Sequence, residues 1–569
     1  MHFLRAVVLL ACCLPAAAEQ PLRFANIFGN GMVLQRDRPI AVWGWGDGEV
    51  TITIAEGDKT LGSRTVRTDA SGRWAARLDA LPGSFASKTL TITAGDKRAT
   101  LQQILIGEVW ICSGQSNMAW GLRGDTMWAL ESKSANYPGI RHCALQQWTP
   151  EPQRDLPKRA TWTPLAAGAR VLPRVSAIGY YFAVRLHRYL KVPVGIIQNA
   201  SGGTRAETWT ARATLEALPE ARDYLDYFAR RVEQFKKSGT KKPRASRRDA
   251  GPLGERNQPS GCYNAMIAPL AGLSVRGAIF YQGENNSVGT WNLYRASFPA
   301  MIADWRKAFG QPDLPFGIIS LAGFGRAQRD RNIEQEMVPP GRFWFAAIRD
   351  VHERTHRQVP HTGLIVTSDL GDSTNIHPQR KQEVGERTAR WALARVYGAR
   401  VPHTGPIYRS MKIVGKRIRL SFDVDPTVAN NAPWFQTCPI TRAGTYRGFV
   451  IAGKDRRFYP ASVRRIDRTR QLDPPHQLEV WSEFVKQPVA VRYAWAEFPD
   501  ANVIGVDYLP MPGFRTDDWP LPPDAPADPS KRAAWNERIK QLREQALAQA
   551  CERQLAELES TVAGMRAAK

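Results

Sequence analysis

The stretch "GEVWICSGQSNMAW", Gly107 to Trp120, decides how this chain is read. Its run "EVWIC" reads as a strand and "SGQ" as a tight turn, and the residues from Ser116 onward read as the start of a helix. A serine so placed is exposed at the carboxyl end of a sheet, at a helix N-terminus. Two roles fit it, nucleophile or N-cap, and Ser is common at N-caps. The G-x-S-x-G elbow is incomplete, because Gly114 precedes Ser116 but Met118 replaces the second glycine.

Working outward, residues 106–400 alternate short apolar runs with helical segments. That pattern belongs to a parallel sheet covered on both faces, an α/β domain whose ligands bind beyond the carboxyl ends of the strands. Three more runs end in loops with chemical content: "VPVGIIQNASGGT" at Gly202–Gly203, "VRGAIFYQGENN" at Gly283, and "TGLIVTSDLGDSTNIHP" near Asp369. Ester hydrolysis by serine needs a base for the hydroxyl proton, donors for the oxyanion, and a group that orients the base. Gly202 and Gly203 offer unhindered N–H groups, Asn286 a side-chain amide, and His377 an imidazole. Each has a plainer reading: a tight turn, a turn asparagine, a loop histidine. Four such coincidences at four strand ends favour a single site.

"GEVWICSGQSNM", "SGGTRAETW", "YNAMIAPL", "RGAIFYQGENN" and "NIHPQRKQEVGER" resemble the sialate O-acetylesterase-like family of SGNH hydrolases. "IFGNGMVLQRDRPIAVWG" and "FRTDDW" resemble the same family, so the likeness runs from about residue 22 to 520. It implies a flavodoxin-like hydrolase domain with β-rich accessory domains, acting on acetyl esters of carbohydrates without a cofactor. Carried over by position, Ser116 is the nucleophile and gives an oxyanion N–H. Gly203, rather than Gly202, gives a second. Asn286 gives its side-chain amide, and His377 is the general base.

The chain departs from the family at one position. The family commonly reads D-I-H-P where this chain has Asn375, and the broader D-x-x-H pattern would need an acid at Thr374. Glu284, Asp372 and Asp369 are the nearby carboxylates, with Glu284 ranked first as the orienter of His377. A Ser–His dyad supported by a backbone carbonyl is the alternative. Loss of an orienting acid costs about 10⁴ in kcat where it sets the tautomer, so a slow enzyme or an inactive glycan binder of the same fold is the second reading.

The 569 residues, 43% hydrophobic and 23% charged, suit an ordinary globular protein of several domains. Residues 1–18 read as a secretory signal peptide, which places the protein in the periplasm or outside the cell. "LLAC" only loosely matches a lipoprotein box. Alternating strands in residues 19–105 read as a β-sandwich, and strand patterns return over 401–520. Residues 521–569 form a helical tail opened by Asp528 and Pro529, with one stripe at Trp535, Ile539, Leu542 and Ala546 and another at Cys551, Leu555, Leu558 and Val562. The tail packs or joins a coiled-coil contact between copies.

Net charge is +25, much of it between Arg230 and Arg256 in a stretch that reads as a mobile basic loop inserted at 230–260. It suits an acidic glycan or merely solvates the surface; no nucleic-acid motif accompanies it. No apolar run spans a membrane. The scattered cysteines make no disulfide framework and no CxxC metal site.

"HERTH", His352 to His356, matches the zinc motif H-E-x-x-H, but the metzincin extension meets Val359 and Thr362 where Gly and His are needed. A zinc peptidase is therefore the weakest reading, and surface histidines on an amphipathic helix are preferred.

Overall fold

The computed structural model describes residues 20–238, 251–325, 344–423, 436–437, 445–466, 477–505 and 508–567. The signal peptide expected at 1–18 lies outside the described residues, as do Cys12, Cys13, Cys438 and the 239–250 part of the basic insertion.

Six parallel strands form the central sheet: β1 (Lys97–Gly114), β2 (Asn136–Ala144), β3 (Val194–Ala200), β4 (Gly277–Tyr281), β5 (Phe316–Ile319) and β6 (Thr362–Ile365). Their order is β2-β3-β1-β4-β5-β6, with Thr163–Ala166 antiparallel on the β2 edge. Without the outer β2 the order is the doubly wound 2-1-3-4-5, in which a ligand site lies where strand order reverses, beside β1.

Alternation along the strands separates the two faces. Trp110 and Gly317 meet helix α6 through Trp391, and Trp110 also meets helix α2 through Phe182, where α2 is Ala177–Leu190 and α6 is Lys381–Arg395. Phe280 and Phe316 face the other way, against Trp305 of Trp291–Phe309, helix α4. Further helices used below are α1 (Ser116–Ala119), α3 (Arg222–Lys237), α5 (Phe345–Gln358) and α7 (Arg532–Ala567). No helix among the described residues is long and apolar enough to cross a membrane.

β1 belongs to two sheets at once. Its first residues alternate in burial, as in a sheet with one face solvated, and pair with Ser84–Ala94. From Ile104 onward every residue is buried, as in a sheet covered on both faces. The boundary expected at 105 therefore falls inside one continuous strand, near Gln103, whose φ is +59°. The N-terminal strands Glu49–Glu56, Lys59–Arg67 and Ser84–Ala94 continue this sheet, with a three-stranded sheet beside them. The joint is held by Glu108, fully buried, which receives Gln35 at 3.1 Å, Arg36 at 2.5 Å and Arg276 at 2.7 Å.

The C-terminal region contains two four-stranded antiparallel sheets with a shared core of Ile418, Leu420, Phe422, Ile451, Leu478 and Phe514 among others. Its "FRTDDW" segment joins it to α5: Arg515 pairs with Asp350 at 3.1 Å, and Asp517 pairs with Arg492 at 2.9 Å. All four side chains are at least 96% buried, so removing one would strand a buried charge.

One expectation needs correction. The basic stretch does not begin as a loop: α3 runs through Arg230 to Lys237. Leu225, Phe228, Val232 and Phe235 lie at helical spacing, a stripe hidden in sequence by the dense charge. In the tail, Asp528 accepts a hydrogen bond from Ser530 N at 3.0 Å and starts the helix as expected. The first stripe packs, with Trp535 on Trp291 and with Ile539 and Ala546 buried. Leu555, Leu558 and Val562 are exposed.

Candidate active site

Strands β3, β1 and β4 are neighbours, and their last residues are in register: Ala200, Gly114 and Tyr281 are mutual partners across the sheet. Because Ala200 and Tyr281 each pair with Gly114 from opposite sides, the three loops that follow leave the sheet at one level. Gly114 has φ of +132°, and a Cβ there would collide with the carbonyl oxygen of Tyr281. Only glycine allows the turn that carries Ser116 off the strand. Gln115 N then donates to Tyr281 O at 2.9 Å, and Ser201 N to Gly114 O at 3.0 Å, which ties the three turns together.

Ser116 is half-buried and is the first residue of α1, a single turn with no side-chain cap. Its hydroxyl has no hydrogen-bond partner among the described residues, so the capping role is not realised. A Cβ on Gly202 would lie 3.4 Å from Cβ of Ser116. The Gly202–Gly203 turn is held by its carbonyls: Arg256 donates to Gly202 O, and Asn257 and Asn285 donate to Gly203 O at 2.9 and 2.7 Å. The N–H groups of Ser116, Gly202 and Gly203 donate to nothing among the described residues. Undonated N–H groups are the kind of donor an oxyanion requires.

Asn286 is not part of that set. It is fully buried, and its amide nitrogen donates to both oxygens of Glu207, at 3.1 and 3.0 Å. Its Oδ1 accepts from Ala206 N at 3.0 Å and Gln282 at 2.7 Å. The expected oxyanion donor is instead the partner of a buried carboxylate. Asn285, its half-buried neighbour, faces the glycine turn.

His377 sits in a loop shaped by side-chain caps. Asp372 accepts from Thr374 N and Asn375 N at 2.8 and 3.0 Å, and Asn375 Oδ1 accepts from His377 N at 2.9 Å. Asn375 thus makes a backbone bond that an aspartate could also make, which lets the loop keep its form without the acid. The imidazole stacks on Trp120, with ring centroids 5.2 Å apart and planes 18° apart. Burial, and next the charge of Lys381, hold its pKa below the ordinary histidine value. The ring is therefore neutral, as a base must be, at pH 7.

None of the three carboxylates considered for orienting His377 bonds to its ring. Asp369 is taken by Arg387, at 2.7 and 2.6 Å. Asp372 is spent on its own loop. Glu284 is buried, and its Oε1 accepts from Asn117 Nδ2 at 2.5 Å. Its Oε2 has no partner among the described residues. Burial raises the Glu284 pKa, against the opposing effects of Asn117 and Lys381. The direct contact expected between Glu284 and His377 is replaced by one through Asn117, whose Nδ2 also donates to Ile376 O at 3.0 Å.

Sequence reasoning missed Asn117, Trp120, Asn285, Arg256 and Lys381. Asn117 and Lys381 carried a signal, since they lie one residue past the serine and four past the histidine. In sequence, Arg256 is one cation in a dense charge run.

The "HERTH" histidines lie on α5. His352 is buried rather than on the surface, with Nε2 2.8 Å from the hydroxyl of Tyr294. His356 pairs with Thr362 at 3.1 Å, and Glu353 with Arg357. Burial pushes the pKa of His352 down to about 3 and of His356 to about 4. Among the described residues, no group of three or more His, Cys, Asp or Glu side chains could hold a metal. Cys112, Cys143 and Cys262 are buried free thiols, and Cys551 is an exposed one.

A family model described as carbohydrate esterase, sialic acid-specific acetylesterase matches residues 106–245 and 253–394. The chain is 28% identical over 527 residues to sialate O-acetylesterase of Mus musculus, covering 87% of this chain and 93% of that protein. To the Homo sapiens sialate O-acetylesterase it is 27% identical over 509 residues, covering 84% of this chain and 88% of that one. A crystal structure of a carbohydrate acetylesterase from Xanthomonas citri superposes with a TM-score of 0.70 at 31% identity, covering 87% of this chain and 100% of that one. This chain is an esterase and belongs to the sialate O-acetylesterase-like family of carbohydrate esterases in the SGNH hydrolase superfamily.

Proposed function

We propose that the chain is an exported O-acetylesterase that removes acetyl groups from sugars through an acetyl-Ser116 intermediate. His377 takes the Ser116 proton as Oγ attacks the ester carbonyl. The oxyanion is received by the N–H groups of Ser116 and Gly203, with Gly202 beside them. Collapse breaks the bond to the sugar oxygen, which leaves with the proton from His377. Water, deprotonated by the same imidazole, then attacks the acetyl carbonyl, and acetate departs. Each oxyanion donor is worth about 2.7–4 kcal/mol. Exchange of ester oxygens needs no redox group, and the reading assigns the enzyme no cofactor.

The observation that carries this reading is the junction of Ser116 with the Gly202–Gly203 turn, where an unbonded hydroxyl and undonated N–H groups meet at the end of the sheet. An acidic sugar such as a sialate is favoured by Arg256. Its exposed guanidinium reaches the carbonyl of Gly202 and lies 5.5 Å over the ring of Trp148, so a cation and an aromatic surface border the serine. The leader at 1–18 supports export.

The test is acetate release from 4-nitrophenyl acetate and from a panel of O-acetylated sialic acids and neutral glycans, wild type beside Ser116→Ala and His377→Ala. Turnover that disappears in both variants and is indifferent to chelator supports the serine mechanism. Full activity in Ser116→Ala overturns it. The bare His377 ring favours one second reading, a glycan binder with little turnover, which would retain glycans and release no acetate.

A further inference from the structure

We propose that Lys381 and Asn117 are positioning residues that set the base against the nucleophile, replacing the missing carboxylate on His377. The inference rests on the esterase reading above.

Lys381 is the first residue of α6, and its side chain is 1% exposed. A lysine so placed loses its hydration, and its ammonium is retained only where partners are provided. Its Nζ donates to Asn117 Oδ1 at 2.5 Å and lies 5.9 Å over the ring of Trp120 and 5.8 Å over that of Tyr281. Its backbone N–H donates to Asp125 at 2.9 Å. Apart from the ring of Tyr281, the last residue of β4, these contacts lie in the segment that follows β1.

Asn117 is the hub. Its Oδ1 takes Lys381, and its Nδ2 divides between Glu284 Oε1 at 2.5 Å and Ile376 O at 3.0 Å. Asn117 directly follows Ser116, and Ile376 directly precedes His377. One amide thus fixes the nucleophile's turn to the base's loop, while Lys381 fixes which way that amide points. With the oxygen held by an ammonium, the nitrogen must face Glu284 and Ile376. Flipping the amide would set its oxygen against both a carboxylate and a carbonyl. The chain Lys381–Asn117–Glu284 is therefore a directional lock on the separation of Ser116 and His377.

Lys381 also acts through its charge. The charged groups facing the network are Lys381 itself from α6, Glu284 from the β4 loop, and Asp125 from the segment after α1. Burial pushes the Lys381 pKa down to about 7, while Glu284 and Asp125 oppose that fall. Below that value it is a cation, and its charge adds to burial in holding the His377 pKa down. Removing the cation must raise the His377 pKa and move the acid limb of the rate profile to higher pH.

The experiment measures kcat and KM for 4-nitrophenyl acetate from pH 5 to 9 for wild type, Lys381→Met, Lys381→Arg and Asn117→Ala, each checked for folding by circular dichroism. Lys381→Met should lower kcat about 100-fold, change KM little, and shift the acid limb upward. Lys381→Arg keeps the cation and should restore at least a tenth of the wild-type kcat. Asn117→Ala, which leaves the lysine in place, should lower kcat with the acid limb unmoved, and it tests the lock even where Lys381→Met does not fold. The proposal is overturned when both variants keep kcat within threefold of wild type. It is also overturned when Lys381→Met is slow with an unmoved acid limb and the arginine does not restore it. Wild type is active in either case, whereas failure of the serine mechanism itself appears as unchanged turnover in Ser116→Ala.

Discussion

Glu284 accepts its 2.5 Å hydrogen bond from Asn117, one residue past Ser116, and makes no bond to the ring of His377. Its link to the loop of His377 runs through the Asn117 amide, which also donates to Ile376 O. In Glu284→Gln the side chain keeps the carbonyl oxygen that Asn117 needs. The expected loss in kcat is therefore below about tenfold, against about 10⁴ where an acid sets the tautomer of the base. Steady-state kinetics at pH 8 separates these outcomes. A loss near the larger figure would mean that the carboxylate turns to His377 during turnover.

Asn286 offers a second contrast between stability and chemistry. Its amide donates to both oxygens of Glu207, which otherwise has Ser297 at 2.7 Å. Asn286→Ala deprives a buried carboxylate of charge-assisted bonds worth about 1.5–3 kcal/mol each. The variant should unfold at lower temperature or denaturant, while kcat of the folded fraction stays within a few-fold. Deleting a true oxyanion donor costs about 10²–10³ in kcat. A drop of that size with unchanged stability would return Asn286 to the oxyanion site.

How far the sequence disclosed this site follows from the range of each interaction. The parallel sheet and the loops at its strand ends were legible because burial on both faces leaves continuous apolar runs, and tight turns leave glycines. Ser116, Gly203 and His377 stand on such loops. Asn286 was misassigned because a turn asparagine has the same signature whether its amide faces solvent or a buried Glu207, some 80 residues earlier. Asn117 and Lys381 were passed over because their meeting depends on α6 returning to β1 from across two strands, a relation no local pattern encodes. The boundary at 105 was drawn from a change of period along β1, which is real, but the change occurs within one strand.

Arg256 gives a prediction about substrate. Its guanidinium is anchored on Gly202 O and over Trp148 and remains exposed. An acidic sugar seated with its acetyl group at Ser116 gains a charge-assisted contact there, whereas a neutral sugar gains none. In Arg256→Ala, KM for an O-acetylated sialic acid should rise about tenfold, equivalent to about 1.4 kcal/mol. KM for 4-nitrophenyl acetate should stay within twofold. Equal effects on both substrates would mean that Arg256 shapes the glycine turn and does not select the sugar.

Stability should depend on pH through buried histidines that the reaction does not use. Burial holds His142 and His356 at about 4 and His352 at about 3. Their folded values lie below the unfolded value of about 6.5, so the unfolded chain binds protons first as pH falls. Their contribution is complete above pH 6.5 and diminishes as pH falls toward the folded values, by about 1.4 kcal/mol per unit for each ring. Urea unfolding at pH 7, 6, 5 and 4.5 should show stability falling steadily, faster than one proton can explain. His352→Leu loses the bond to Tyr294 and should be less stable at pH 7. Its slope against pH should nevertheless be shallower than that of wild type by about one proton. An unchanged slope would mean that His352 is already protonated in the fold, paired as a cation with a group other than the Tyr294 hydroxyl.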